Sequence, residues 1–192
     1  RQSATVLSES QAAEKLYAEA LLSYETDLTK TALANMKIIP KGLLSKVEAC
    51  LQNSSSYIIP QMALKLLAEN NSEKLPEYLK LTKHIEGNRG ESFRTTWLFL
   101  SAQNISSQEH LDELVDMTGP SFEFLTRMNA LNALQELDYF SAPLADHIID
   151  GCGSNNRKLR GDFIGAAKEY SQDSERKKVL LKRLKKSDLS KD

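Results

Sequence analysis

A 33-residue repeat constrains this chain more than any other feature. Stepping by 33 gives Gln61, Arg94, Arg127 and Arg160. The same step gives Ser55, Asn88, Ser121 and Ser154, residue types whose side-chain oxygen accepts from the first orphan N–H groups of a helix. One residue earlier stand Ser54, Gly87, Pro120 and Gly153, all turn formers. A two-helix unit of this size cannot bury its own apolar stripe, so it must stack on its neighbours to make a core.

The residues after each expected cap agree. Leu64, Trp97, Ala130 and Phe163 fall in one column, and Leu67, Leu100, Ala133 and Ala166 fall in another three positions on. A spacing of three places both columns on one helix face. A second set of helices has its own columns: Tyr78, Leu111 and Leu144; Leu81 and Leu114; Val115 and Ile148. The register runs on to Leu180 and Leu181, two further steps past Leu114 and Val115. The pattern predicts first helices near 9–22, 41–52, 73–85, 107–118, 141–151 and 174–186. Second helices are predicted near 24–37, 55–70, 88–103, 121–138 and 154–171. Pro60 and Pro76 then sit in first turns, where a missing N–H is tolerated. The expected fold is all-α: a right-handed solenoid of about five two-helix repeats spanning 1–192 as one domain. A basic terminal helix and tail at 174–192 would cap it.

Composition supports the helical reading and narrows the function. Eight Gly and five Pro are about 7% of the 192 residues, against roughly 12% in average proteins. Two cysteines, Cys50 and Cys152, exclude a disulfide scaffold. With 25 basic and 26 acidic residues, nucleic acid and membrane surfaces are disfavoured as general partners. No apolar run is long enough to span a membrane. The opening Arg1-Gln2-Ser3, in place of Met, gives the expectation of a domain cut from a longer protein, with a processed mature chain as the alternative.

The second helices resemble those of HEAT-like repeats, over about 41–186. That family places an Asp at the start of the second helix and an Arg six positions later, and the two form a ladder between repeats. Arg94, Arg127 and Arg160 occupy the Arg position; Asn88, Ser121 and Ser154 replace the Asp, and Gln61 replaces the Arg in an earlier repeat. The resemblance implies a structural ladder whose ionic half is lost. The run from Leu21 through Lys41 to Ala102 also resembles the helical region appended to bacterial zinc aminopeptidases of the M1 (gluzincin) family. There the zinc sits in another domain, on a helix carrying His-Glu-x-x-His. This chain contains neither that motif nor the family's Gly-Ala-Met-Glu-Asn loop. The resemblance therefore implies a segment that shapes access to an active site, with any zinc held by the parent protein.

Residue by residue, no catalytic, cofactor-binding or metal-ligating set is expected in this segment. None of His84, His110 and His147 has a carboxylate or cysteine in a known ligand pattern, the pair of His110 with Glu113 being one His and one Glu alone, and all three read as solvent-facing or helix-end residues. Cys50 and Cys152 read as small hydrophobes, and Trp97 as core. Gly151-Cys152-Gly153-Ser154 reads as a helix C-cap, because neither a preceding strand nor a phosphate-binding Lys accompanies it. Asn53, Asn70 and Asn104 each open an Asn-x-Ser triplet. Outward positions of the second helices, Lys65, Thr96, Asn129 and Asp162, are the candidate contacts of a concave surface.

Charge is unevenly spread. Residues 154–192 carry 12 basic and 6 acidic residues, while 1–153 carry 13 and 20, so the cations gather on the last helix. Leu180, Leu181 and Leu184 are its expected docking stripe. The functional expectation is a non-catalytic domain appended to a larger enzyme, which the resemblance implies is an M1 aminopeptidase, contacting the rest of that chain or another protein. A protein-binding scaffold is the alternative, and a helical-repeat nucleic-acid binder the remote one.

Overall fold

The computed structural model describes residues 9–53, 56–83, 91–105 and 107–187. They form eleven α-helices and two short 3-10 turns, with no strand among the described residues. The helices are α1 (Glu9–Leu21), α2 (Thr26–Asn35), α3 (Leu44–Cys50), α4 (Ile58–Asn70), α5 (Leu75–Thr82) and α6 (Glu91–Ile105). They continue with α7 (Gln108–Met117), α8 (Phe124–Glu136), α9 (Ala142–Cys152), α10 (Arg157–Tyr170) and α11 (Ser174–Leu184). The protein is all-α, and every expected helix is present. The helices α4, α8 and α10 begin at Ile58, Phe124 and Arg157, which lie two repeat steps and then one repeat step apart.

The expected caps lie two residues too early. Glu123 caps α8, its carboxylate accepting from Thr126 N, and Asn156 caps α10, accepting from Lys158 N and Leu159 N. Ser121 still lies in a turn, because Phe122 N donates to Gly119 O and the helix can start only after that turn closes. Ser154 Oγ accepts from Asn156 N at 3.2 Å and so orders the residue that caps. The caps keep the repeat step, since 123 and 156 stand in one column. Ser55 and Asn88 lie outside the described residues.

The chain divides into two compact units, Arg1–Phe93 and Arg94–Asp192. In the first, α1 packs on α2 and α3, α2 and α3 pack on α4, and α4 packs on α5. Val47, Ala63, Leu64 and Leu67 are wholly buried there. Each such leucine contributes roughly 1.5–3 kcal/mol through its burial. Polar side chains tie the helix ends. Asn70 Oδ1 accepts from Ile39 N at 3.0 Å, and Asn70 Nδ2 donates to Lys37 O at 3.2 Å and Leu66 O at 2.9 Å. An asparagine that opens an Asn-x-Ser triplet in the sequence is thus a brace between α4 and the α2–α3 connection. Tyr78 Oη donates to Glu48 Oε1 at 2.6 Å and accepts from Asn71 Nδ2 at 2.8 Å, joining α5 to α3.

In the second unit α7 packs on α8 and α9, α8 on α10, and α9 on α10 and α11. Among the first helices α9 touches both α7 and α11, and among the second helices α8 touches α10. Trp97, Ala130 and Phe163 are buried as their column requires, as are Leu100, Ala133 and Ala166. Gly151 is helical, and a Cβ added there would overlap the Phe163 ring, so only glycine lets α9 and α10 approach so closely. Gly153 is the C-cap of α9, with an ordinary right-handed backbone. After α8, Asp138 adopts φ 50, Asp138 N donates to Gln135 O, and Tyr139 N donates to Leu134 O. This is a left-handed helix stop, which aspartate tolerates better than most non-glycine residues.

Two inward expectations fail. Leu81 is 39% exposed, and Leu181 is 46% exposed while Leu180 is buried and Leu184 half-buried. The reason in α11 is rotational. Arg176, Leu180 and Arg183, three or four positions apart, form the docked face, and Leu181 lies about 100° around from Leu180.

Candidate functional site

Two members of the arginine column, Arg94 and Arg127, pair with carboxylates on other helices of the second unit. Arg94, from α6, donates through Nε and Nη2 to the two oxygens of Glu113 on α7, at 2.7 and 2.6 Å. Its guanidinium stacks 4.7 Å from the Trp97 ring centroid, and Trp97 meets His110 edge-on. Arg127, from α8, is 6% exposed. It donates through Nε to Thr118 O at 2.9 Å and through Nη2 to Asp150 Oδ2 at 2.7 Å, with Phe163 beneath its guanidinium. Both arginines therefore bridge a second helix to the first helix of the next repeat. A buried guanidinium must be paired, and a fork-shaped donor suits both a carboxylate and a carbonyl.

Arg160 differs. It is exposed, and Nη1 donates only 3.1 Å back to Ser154 O in its own repeat. One repeat step past Asp150 stands a cation, Arg183, which instead pairs with Asp146 at 3.3 Å. The ionic partners that the expected cap residues lack are thus supplied by Glu113 and Asp150. These two acids do not share a repeat column, so periodicity does not reveal them.

The four candidate concave contacts do not share one environment. Lys65 and Asn129 are exposed, Asp162 is half-buried, and Thr96 is buried at 6% exposure, which removes it from any surface. Thr96 is only one position from the inward Trp97 and faces the interior with Thr95. Asn88 and His84 lie outside the described residues.

The remaining chemistry-bearing side chains are engaged in packing. His110 and His147 are half-buried, not solvent-facing. His110 Nδ1 lies 2.9 Å from Ser101 Oγ. His147 Nδ1 lies 3.0 Å from Val115 O and 2.9 Å from Thr118 Oγ1, which itself donates to Val115 O. A carbonyl can only accept, so Nδ1 carries the proton in that bond. Burial pushes the Cys50 thiol up to about 11 and raises Cys152 as well, so both sulfurs are held as neutral thiols at ordinary pH. Tyr78 is pushed up to about 12, first by burial and then by the Glu48 carboxylate that its hydroxyl faces. The Asp138 carboxyl is held below the usual range by its bond to Arg176, at 2.5 Å, and Asp173 by the N–H groups of Arg176 and Glu175 that it caps.

Among the described residues no group of three His, Cys, Asp or Glu side chains could hold a metal ion. No helix of the described residues is long and apolar enough to cross a membrane. Comparison with protein-family models, with curated proteins and with solved structures finds no match to this chain.

Proposed function

We propose that this chain is a HEAT-like helical-repeat region, stacked as a right-handed solenoid, that acts through protein contacts and contributes no catalytic group. Its place is as a domain appended to a larger enzyme, for which a zinc-dependent M1 aminopeptidase is the parent to test first. The observation that carries the repeat reading is the pair of arginine bridges, Arg94 to Glu113 and Arg127 to Asp150. Each fastens one two-helix unit to the next, as a stacked array of such units needs. The starts of α4, α8 and α10, which fall on one 33-residue register, support the same reading. The aminopeptidase parent rests on the sequence resemblance over Leu21–Ala102 alone.

In such a parent the segment would narrow access to the catalytic domain, so that only unfolded peptides reach the zinc. Intact mass measurement of the endogenous product tests this. A product several-fold larger than 21.5 kDa, carrying His-Glu-x-x-His, binding one zinc and releasing N-terminal residues from peptides, is expected. A product near 21.5 kDa would overturn the appended-enzyme reading and leave a protein-binding scaffold, with Lys65 and Asn129 as the contacts to mutate.

A further inference from the structure

We propose that copies of this chain associate head to tail, the lysine row of α11 in one copy docking on the acidic row of α7 in the next. The inference needs only the second unit and does not depend on the parent enzyme. In α11 the docked face carries Arg176, Leu180 and Arg183, leaving Lys178, Lys182 and the C-cap residue Lys185 in a row on the solvent side. Lys178 holds Glu175 at 2.6 Å; Lys182 and Lys185 make no ion pair with another described residue. In α7 the buried Leu114, Val115 and Met117 leave Glu109, Asp112 and Asp116 in an exposed row. Among the described residues, the side-chain partner of this row is the neutral Gln108 amide on Asp112.

Repeat columns show why these faces are charged. Asp112, Ala145 and Lys178 stand one step apart, and so do Asp116, Ile149 and Lys182. On the middle helix α9, which packs on both α7 and α11, the column is apolar and buried. On α7 and α11, which flank α9, it is exposed and carries opposite charges. The two flanking helices therefore complement each other between copies.

The spacing of the rows fixes how they meet. Read in opposite directions, 116, 112, 109 and 178, 182, 185 both step by four positions and then by three. Antiparallel docking thus brings Asp116 to Lys178, Asp112 to Lys182 and Glu109 to Lys185, along about 10.5 Å of helix at 1.5 Å per residue. Because the two rows lie on different helices with α9 between them, each docking leaves one free row of each sign. The contact is heterologous, so the assembly lengthens with concentration instead of closing as a symmetric pair. A membrane is disfavoured because Leu181 is the one exposed large apolar side chain described on α11, and nucleic acid because the α7 row is acidic.

Light scattering of the full chain at varied concentration and salt tests the proposal. The expected result is a mean mass that rises with concentration at low ionic strength. It should return to the monomer as salt shortens the screening length toward about 3 Å. Lys178→Glu/Lys182→Glu/Lys185→Glu and Glu109→Lys/Asp112→Lys/Asp116→Lys should each self-associate at least about tenfold more weakly, with circular dichroism unchanged. An equimolar mixture of the two variants should associate again, since one then carries two acidic rows and the other two basic rows. A chain that stays monomeric at low salt, or an association indifferent to both reversals, would overturn the proposal. So would binding of polyglutamate or an oligonucleotide to the lysine row without self-association.

Discussion

The two units use the same kind of helical hairpin but brace it with different chemistry. In residues 1–93 the braces between distant helices are mainly uncharged donors: Asn70 on the α2–α3 connection and Tyr78 on Glu48. The long-range ion pair described there, Lys74 with Glu48, is loose at 3.6 Å. In residues 94–192 four arginines, Arg94, Arg127, Arg176 and Arg183, each pair with a carboxylate on another element. The difference begins at one column, where Gln61 stands in the first unit and Arg94 and Arg127 stand in the second. Buried apolar columns are common to both units, while the polar braces between helices differ.

Substitutions can break this comparison. The largest effect should come from the shared apolar columns, where the units ought to behave alike. Trp97→Ala should cost about 3–5 kcal/mol and Leu64→Ala about 2–5 kcal/mol, measured by denaturant unfolding. A small loss at Trp97 would mean that the second unit relies on its ions after all. Gly151→Ala should come next, at about 1–3 kcal/mol or more, because the new methyl overlaps Phe163.

The braces themselves should separate the units. Arg127→Ala should cost about 1–3 kcal/mol, since Thr118 O loses its donor and Asp150 its cation, whereas exposed Arg160→Ala should stay within about 0.5 kcal/mol. Equal losses at both would show that the column works as one ladder. Tyr78→Phe should cost about 1–2 kcal/mol by removing a bond to a carboxylate.

Titration sharpens the contrast with the smallest effects. Tyr78 is an acid whose pKa rises on folding, from 10.0 to about 12. Its contribution is therefore complete below pH 10 and is lost as pH rises toward 12. Asp138 and Asp173 are lowered, so their contribution is present above the ordinary carboxylate range and is lost as pH falls below it. Hydrogen exchange resolved along the chain should show Tyr78→Phe flattening the alkaline loss in the first unit. Asp138→Asn should weaken the acid loss around α11 in the second.

Every helix of the described residues was legible in the sequence because helix formation is local. Apolar residues three and four apart, turn formers at fixed intervals and few glycines suffice to place a helix within a few residues. The buried columns through Leu64, Trp97 and Phe163 follow from the same period. Of the polar framework, only one half could be read. Arg94 and Arg127 stood out because they repeat, while Glu113 and Asp150 did not, because each is chosen by which carboxylate lies within about 3 Å of a guanidinium once helices have packed.

Sequence alone thus determined that the chain is all-α and built on a 33-residue period, since period and propensity act within a single helix. Tertiary structure alone decided that Glu123 and Asn156 do the capping, that Thr96 and Leu181 exchange their expected environments, and that Gly151 makes room for Phe163. Those outcomes turn on rotations of a fraction of a helical turn and on inter-helix distances of a few ångströms. A repeat period fixes neither, because both are settled by how neighbouring surfaces fit.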